Sequence, residues 1–487
     1  MLKILKKFSF FLLFFFLIRL ILIFFYPADH ELKYEVVADN ILSGCGVSFS
    51  LQGSNECIPA FGPNGPGYPF FLASLRLFFD NDYFIKIFQI IFYFISVLFV
   101  KKAIYQFTKS KNISNITFIA LSISPLTLGW SRFILPETII ISLTLFFLGF
   151  VIKSLIQKKN YILEFSLILI LMTFIRVDSI FFIFPVIYLI FTLNKFNIGI
   201  KKLVIFLLVF SIPWSIWTYR NISSGAEFIP NIHESYETMT KKKFPHGYHK
   251  WVFSWAENQY DLAKATIPTN VNHNLEFSSQ FKYEKIIIDN DIYFNKKEEK
   301  DTVKLLENLK LFSGTPFPLN IDNQFEELTN IRKEQNKIFI YIILPLKRSI
   351  NLWLNPYYSY GWPIQLTKKL NDYNIDVTGK SLIEKISFFK IFPIEISLKI
   401  ILFLWATFLF ILLILCFFVK KNQNIKWFFI ICMSVILLKT VFFIYAGFFE
   451  TRYVSNLIPL IEISIILVLS KIISNPKKYI VFKKKSF

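Results

Sequence analysis

Histidine, cysteine and glycine are scarce in this chain, which has 5 His, 4 Cys and 15 Gly among its 487 residues. No glycine-rich loop that could cradle a phosphate occurs, and the chain has no nucleophilic-serine motif. The few His residues are scattered through polar segments, so they do not specify a metal site, and a divalent metal ion remains an unassigned cofactor. These absences exclude a P-loop nucleotide site and serine-based chemistry.

Hydrophobic residues are abundant instead: they make up 54% of the chain, with 60 Phe and a mean hydropathy of +0.50. This composition is typical of a chain whose solvent is a lipid bilayer. Apolar stretches of about 17 to 25 residues can each cross a bilayer as a helix. The sequence therefore predicts about ten transmembrane helices, at residues 8–26, 84–100, 113–130, 137–152, 161–175, 179–193, 202–218, 393–419, 427–447 and 453–473.

The first apolar run, 8–26, follows Lys3, Lys6 and Lys7, as the core of a secretory signal peptide would. It is longer than such a core, and no small-residue cleavage site follows it. We therefore expect a retained membrane anchor.

Successive membrane spans place every second connecting segment on the same side of the membrane. The segments on one of the two sides contain no acidic residue. Those segments contain 22 Lys, and the remaining 32 basic residues nearly balance the chain's 33 acidic ones. The net charge of +21 is therefore a positive-inside signal and not a surface for nucleic acid. It predicts a multi-pass protein of the inner (plasma) membrane with both termini in the cytoplasm and the longer loops outside.

The predicted topology divides the chain into three parts. Residues 1–218 form an N-terminal transmembrane catalytic module with a first outer loop at 27–83, and residues 219–392 form an extracytoplasmic domain. Residues 393–487 contribute the C-terminal transmembrane helices and a basic cytoplasmic tail. The predicted fold class is an all-α polytopic membrane protein with an extracytoplasmic mixed loop domain, in which residues 336–356 are amphipathic and touch the membrane.

Four acids follow the first apolar run: Asp29, Glu31, Glu35 and Asp39. The last three are spaced by four residues, which predicts one solvated stripe on an interfacial helix. Asp29 precedes that helix and can serve either as an N-cap or as a general base. The first outer loop ends in FFLASLRLFF, which includes Arg76 and predicts a second helix lying in the interface.

Two features of the outer segments have competing interpretations. Cys45 and Cys57 lie in one outer loop, where they form either a disulfide or two free thiols. Asp80–Asn81–Asp82 and Asp289–Asn290–Asp291 match the DxD signature of nucleotide-sugar transferases, although DND is also a common turn sequence. Because both DND triplets are predicted to lie outside the cytoplasm, where nucleotide sugars are made, we interpret them as turns.

Charged residues recur where predicted spans end on the outer side. They are Glu137, Arg176 with Asp178, Arg220, and Glu450 with Arg452. Each alone can simply reach water at the membrane boundary, but together they supply a carboxylate base and cations for an anionic, lipid-borne leaving group.

Near the centres of spans the pattern shows only Arg19, Glu164 and Lys439 as charges. This argues against a transporter or lipid flippase with paired charges at mid-membrane.

Several of these residues belong to an ordered series of short motifs. The series contains Asp29, Tyr34, Ala38–Asp39–Asn40, Gly44–Cys45–Gly46, GPGYPFFLA (65–73), FQIIFY (88–93), LPE (135–137), FIRVDSIFFIFP (174–185), PWSIWTYRN (213–221) and ETRYVSNLIP (450–459). In its order it resembles polytopic glycosyltransferases of the dolichyl-phosphate mannosyltransferase and lipid A aminoarabinose transferase type, which are glycosyltransferase family 39-like and have the GT-C fold. The resemblance covers most of the spans but little of residues 230–390.

The resemblance implies a membrane glycosyltransferase whose donor is a sugar linked to a polyprenyl phosphate. It implies that Asp29 deprotonates the acceptor, with Glu31 as the alternative base, because Asp29 lies five residues before Tyr34 where four is more usual. The other positions that match the family's site are a second acid and three basic residues, which are expected near the donor phosphate: Glu137, Arg176, Arg220 and Arg452.

The chain departs from the family's pattern at two further points. Asn64–Gly65 stands where relatives commonly have an Arg before Pro-Gly-Tyr-Pro, and Val177 follows Arg176 where Pro is usual. Both departures affect the expected binding of the donor.

The sequence thus predicts an enzyme that transfers a hexose or pentose from a polyprenyl-phosphate carrier to a protein, lipid or polysaccharide acceptor at the extracytoplasmic face. Its partners would be the lipid bilayer, the lipid-linked donor and the acceptor, and not nucleic acid. The alternatives are a multispanning lipid or polysaccharide transporter and an O-antigen polymerase or ligase.

Overall fold

The computed structural model describes residues 2–25, 32–50, 57–60, 65–225, 244–258, 261–262, 265, 269–271, 277–281, 283, 286, 288, 292–354, 393–447 and 451–474. Helices dominate this part of the chain, and the strands form two short antiparallel ribbons.

In the described part of the first 225 residues there are ten α-helices and one ribbon. In chain order these are α1 (Leu2–Phe25), α2 (Leu32–Leu42), β1 (Ser48–Ser50), β2 (Cys57–Pro59), α3 (Gly67–Arg76), α4 (Asp82–Thr108), α5 (Lys111–Ile123), α6 (Pro125–Leu128), α7 (Glu137–Gln157), α8 (Ile162–Ile175), α9 (Ile183–Leu193) and α10 (Phe196–Ser223). Short 3-10 turns precede α7 and α9, at Gly129–Arg132 and Val177–Phe182.

The rest of the chain contributes a smaller helical unit and the last apolar helices. Its elements are α11 (His246–Phe253), β3 (Thr269–Val271), β4 (Phe277–Phe281), α12 (Lys296–Lys310), α13 (Leu319–Gln335), a π-helical turn (Phe339–Ile343), α14 (Leu344–Leu354), α15 (Pro393–Phe418), α16 (Gln423–Ala446), a 3-10 turn (Thr451–Leu457) and α17 (Ile458–Ser474).

Ten apolar helical segments lie where the sequence predicts spans. Within the described residues, six helices are long and apolar enough to cross a membrane singly, and α5 with α6 forms a seventh, bent by 47°. The three shorter ones are Phe11–Phe25, Ile162–Ile175 and Val177–Leu193. The prediction of an all-α polytopic membrane protein is confirmed.

Helix ends follow local sequence signals. The Asn81 side chain accepts hydrogen bonds from the backbone N–H groups of Tyr83 and Phe84, at 2.8 and 3.3 Å, and so caps α4. Asn81 of the first DND triplet is therefore the N-cap of α4. The second triplet lies outside the described residues.

In the described residues, α4 and α7 pack extensively against each other. A Cβ on Gly149 of α7 would lie 2.4 Å from the ring of Phe99 on α4, so a larger residue at position 149 would require this ring to move. Such small residues are the usual means of packing helices within a membrane, where lipid is as apolar as the side chains.

The smaller helical unit has its own aromatic core, formed around Tyr248, Trp251 and Phe325. It is fixed to the apolar helices by Arg348 of α14, whose guanidinium donates to the carbonyls of Phe253, Ala256 and Ile444, at 2.5, 3.0 and 3.1 Å. Burial lowers the pKa of Arg348 to about 10, and the three carbonyls supply the hydrogen bonds that a buried guanidinium requires.

The segment from 336 to 354 is amphipathic, as predicted. Ile338, Ile342, Leu346 and Ile350 recur every four residues and are all exposed, while Arg348 faces the protein. That this apolar face lies on a membrane stays a prediction. The division of the chain at 218 and 392 is likewise a prediction that the described residues do not test.

Candidate functional site

The first loop and the last turn of α8 are in direct backbone contact. A Cβ on Gly65 would lie 2.1 Å from the carbonyl oxygen of Phe174, and one on Gly67 would lie 2.8 Å from the carbonyl carbon of the same residue. The GPGYP motif therefore has to be glycine-rich because it packs against the backbone where α8 ends. Two motifs that are about a hundred residues apart in the chain meet directly before Arg176.

Arg176 joins two acids at this point. Its Nη1 lies 3.3 Å from Oε1 of Glu137, at the start of α7, and its Nε lies 3.0 Å from Oδ1 of Asp178. All three side chains are buried, with 7%, 2% and 12% of their surfaces exposed. Burial lowers the pKa of Arg176, but the carboxylates of Asp178 and Glu137 outweigh burial and hold that pKa above its ordinary value.

Lys439 of α16 extends this cluster. Its Nζ lies 2.5 Å from Oδ2 of Asp178 and donates a 3.0 Å hydrogen bond to Oδ1 of Asn456. The sequence shows Lys439 only as an isolated charge within a span. The structure pairs it with Asp178, so Glu137, Arg176, Asp178 and Lys439 carry no net charge together; we call these four residues the buried ion cluster.

Arg452 lies at the edge of the buried ion cluster and is partly exposed. The Arg452 carbonyl accepts a 3.4 Å hydrogen bond from Arg176. The Tyr453 ring lies beside both guanidinium groups, with its centroid 4.9 Å from Cζ of Arg176 and 5.3 Å from Cζ of Arg452. Arg452 thus adds one positive charge where the neutral cluster reaches the surface.

Tyr68 of the GPGYP motif links the first loop to Gln89 of α4. It is fully buried, and its hydroxyl donates to Oε1 of Gln89 at 3.2 Å, while Nε2 of Gln89 donates to the Phe133 carbonyl at 3.1 Å. Burial, and after it the carboxylate of Glu137, raise the pKa of Tyr68 well above its ordinary value. The phenol therefore stays protonated beside the acid. Sequence reasoning missed Gln89, because an amide within an apolar run gives no signal of its partners.

The predicted solvated stripe on α2 is wrong for Glu35. Nη2 of Arg76, at the end of α3, lies 2.7 Å from Oε2 of Glu35, and Nη1 lies 2.6 Å from Oδ1 of Asp39. Glu35 is buried by this contact, whereas Asp39 remains exposed. Asp82 approaches the same guanidinium to 3.7 Å. The prediction failed because α3 packs on α2, and a pattern within α2 alone does not reveal this packing. We call Glu35, Asp39, Arg76 and Asp82 the first-loop cluster.

Arg220 lies apart from the buried ion cluster and contacts the ribbon of the first loop. It donates to the carbonyls of Val47, at 2.5 Å, and Ala60, at 3.3 Å. The ribbon that it holds is closed by a disulfide between Cys45 and Cys57, whose Cα atoms are 5.5 Å apart. Of the two alternatives for these cysteines, the structure has the disulfide. Arg220's predicted contact with a phosphate stays a prediction.

The two candidate bases, Asp29 and Glu31, lie outside the described residues, as does Glu450. The described chain on either side of residues 26–31 is α1 and α2, and Phe24 at the end of α1 stacks on Tyr83 at a ring distance of 5.2 Å. Within the described ranges, His, Cys, Asp and Glu form no group of three that could hold a metal ion. The binding of a divalent metal ion therefore stays an unassigned prediction.

Sequence reasoning also missed Glu462 of the last predicted span, because it named only Arg19, Glu164 and Lys439 as charges within spans. It is buried, as is Arg19 of α1. Its signal was present in the sequence as a single acid within the apolar run IPLIEISII.

Fold and site together define the class: an all-α polytopic membrane protein with a buried ion cluster and an adjoining arginine at one end of its helical bundle. No protein-family model and no curated protein matches the chain. Among solved structures, the chain is similar to the crystal structure of ArnT from Cupriavidus metallidurans bound to undecaprenyl phosphate. The identity is 10%, the match covers 96% of this chain and 79% of that chain, and the TM-score is 0.36. ArnT is of the type that the motifs resemble, but a likeness this distant carries no argument about residues or activity.

Proposed function

We propose that this protein is a membrane glycosyltransferase that moves a sugar from a polyprenyl-phosphate carrier to an acceptor at the extracytoplasmic face. The observation that carries the proposal is the convergence of four motifs of the resemblance. GPGYP, LPE, FIRVD and ETRY are separated by up to several hundred residues, yet they meet around Arg176. A chance series of weak motifs would have no reason to meet at one point.

The charges at this point suit a polyprenyl-phosphate leaving group. The buried ion cluster is neutral, and Arg452 adds a positive charge at its exposed edge. A guanidinium offers a planar fork of donors that matches phosphate oxygens, and it acts most strongly where water is partly excluded. Arg452 is therefore the residue that we assign to the donor phosphate, and Arg176 holds the Arg452 backbone in place through its 3.4 Å bond.

The proposed reaction is a direct displacement at the anomeric carbon of the sugar. The acceptor hydroxyl oxygen forms a bond to that carbon, the bond from carbon to phosphate oxygen breaks, and the electron pair leaves with the polyprenyl phosphate. The acceptor's proton passes to a carboxylate of the first loop, which we assign to Asp29 with Glu31 as the alternative. Tyr68 and Gln89 join the first loop to the Phe133 carbonyl, four residues before Glu137.

The donor is tested with purified protein and two substrates. We expect sugar transfer, or sugar release to water, from a polyprenyl-phosphate sugar and not from a nucleotide sugar alone. Turnover of a nucleotide sugar in lipid-free detergent would contradict the proposal. Arg452→Ala should reduce turnover, and Arg452→Lys should restore it poorly, because a lysine lacks the planar fork.

The base is tested by paired amide variants. General base catalysis is worth about 100-fold to 10,000-fold, so Asp29→Asn should be present in the membrane at the normal level but nearly inactive. The asparagine can still cap a helix, so the variant separates a base from an N-cap. Asp39→Asn, an exposed acid of the same loop, is the matched control and should retain activity. If Asp29→Asn is active and Glu31→Gln is not, the base is Glu31.

Sidedness is tested by reporter fusions. The distribution of lysines predicts that fusions at Lys109, Lys158 and Lys421 report the cytoplasm and that one at Asn290 reports the outside. A cytoplasmic signal at Asn290 would bring the second DND triplet to the side of the nucleotide sugars and would remove the reason for a lipid-linked donor.

A further inference from the structure

Arg19 is fully buried within α1, about 9 Å along the helix from its end at Phe25. Nη1 donates to the hydroxyl of Ser131 at 2.9 Å, and Nη2 approaches the Ser122 carbonyl at 3.4 Å. The Tyr93 ring lies under the guanidinium, with its centroid 4.1 Å from Cζ. Arginine within a membrane is costly and ordinarily has a partner of opposite charge.

Glu462 is the acid that interacts with this arginine. It is the fifth residue of α17, about 6 Å along the helix from its start, and is buried. The two opposite charges attract each other, but no ion pair joins them in the part of the chain that the structure describes. The Ser124 hydroxyl and the Trp405 indole lie near the carboxylate, but neither forms a hydrogen bond of good geometry to it, so both carboxylate oxygens are buried without a partner.

The atoms around the two charges share one property. Nε of Arg19, the hydroxyls of Ser122 and Ser124, Nε1 of Trp405 and both oxygens of Glu462 are buried without a satisfying hydrogen bond. Each such atom costs about 1–3 kcal/mol if nothing binds it. Donors and acceptors occur together in this set, and buried water ordinarily makes about three bonds to groups of this kind.

We propose that Arg19, Glu462, Ser122, Ser124 and Trp405 form an intramembrane site for bound water molecules, which bridge the arginine to the carboxylate. The bridged pair joins α1 to α17. This arrangement explains how two opposite charges persist in the bundle without touching. It also gives both charges hydrogen-bond partners, which a bilayer's hydrocarbon cannot supply.

The site has a consequence for the candidate functional site. Arg19 lies ten residues before Asp29, and Glu462 lies ten residues after Arg452. The two helices that lead to the proposed base and to the proposed phosphate ligand are therefore joined to each other at this depth. Arg19 and Glu462 are positioning residues and touch neither substrate.

Radiolytic footprinting in lipid nanodiscs, with ¹⁸O-labelled water, tests the site without any assay of activity. Hydroxyl radicals formed from bound water label the side chains next to it. Trp214, which is also partly buried and whose Nε1 donates to Thr173 at 3.0 Å, is the control within the same molecule. We expect severalfold faster labelling of Trp405 than of Trp214, and a fall to the level of Trp214 in Glu462→Leu. Equal labelling of the two tryptophans in the unaltered protein overturns the proposal, whether or not the variant folds.

A double-mutant cycle tests the pairing. Arg19→Met and Glu462→Gln should each lower the midpoint temperature of unfolding, and the double variant should lose less than the sum of the two, because it leaves no uncompensated charge. Strict additivity would show that the two charges do not act together and would overturn the pairing. Neither result depends on the protein being a glycosyltransferase, so a failure of the proposed function leaves this test intact.

Discussion

Two groups of ion pairs lie at the same end of the helical bundle and differ in how much water reaches them. In the first-loop cluster, 60% of the Asp39 side chain and 40% of the Asp82 side chain are exposed. In the buried ion cluster, no side chain exceeds 12%. Exposed pairs contribute little to stability, whereas breaking a buried pair leaves a charge in a low dielectric. The difference teaches that equal distances between charged atoms need not mean equal importance.

The largest effect is expected at the centre of the buried ion cluster. Arg176→Met leaves Glu137 and Asp178 buried with one fewer cation, which should lower the free energy of unfolding by about 3–5 kcal/mol. The measurement is the fraction of protein that remains folded in detergent across a denaturant series. Arg76→Met is the matched control in the first-loop cluster and should cost less, because two of the three acids around Arg76 are exposed. Equal losses of unfolding free energy in the two variants would show that the two clusters do not differ in their contribution to stability.

The disulfide is the next largest contribution. Replacing both Cys45 and Cys57 by Ser opens the loop around the ribbon and should cost up to about 3 kcal/mol, because the unfolded loop regains its freedom. Thiol labelling before and after reduction checks the starting point. Ready labelling of the unreduced protein at these positions would show that the bond is absent in the isolated protein.

Within the first-loop cluster, burial should order the effects of the acids. Glu35→Gln removes the charge of a buried acid and should cost about 1–2 kcal/mol of unfolding free energy. Asp39→Asn removes an exposed one at nearly the same distance from Arg76 and should cost under about 1 kcal/mol. Chemical denaturation of the two variants under identical conditions decides the order, and a larger loss for Asp39→Asn would reverse the comparison.

The smallest effect is expected at Glu326, whose carboxylate pairs with Lys250 on the surface of the smaller helical unit. The hydrogen bond from Lys250 holds the pKa of Glu326 below its usual range. Because the pKa in the folded state is lowered, the stabilisation is present above the ordinary pKa of a glutamate and is lost as the pH falls through the lowered value. The small difference in stability between the unaltered protein and Glu326→Gln should therefore vanish in acid and shrink in high salt. A difference that persists in acid would show another origin.

Sequence periodicity predicted the helices but not their contacts. Each apolar run could be read as a span because a bilayer imposes a fixed length on every crossing helix. The burial of Glu35 could not be read in this way, since it depends on Arg76, which lies 41 residues further along the chain.

In the candidate site, too, the sequence predicted residues but not their contacts. The motifs around Glu137, Arg176 and Arg452 were visible in the sequence, and so was their occurrence at span ends. The pairing of Lys439 with Asp178 was not visible, because a lysine within an apolar run has no local signal of its partner. Glu462 was overlooked for the same reason: one acid hardly changes the hydropathy of its span.

The three carbonyls that accept hydrogen bonds from Arg348 limit which segments of this chain can be deleted. Two of them, at Phe253 and Ala256, belong to the smaller helical unit, and the third, at Ile444, belongs to α16. Deleting residues 244–335 would leave a guanidinium buried among apolar helices with only one of these acceptors. We therefore expect that shortened forms of the protein, made to isolate the membrane helices, need Arg348 replaced by an apolar residue before they accumulate in the membrane.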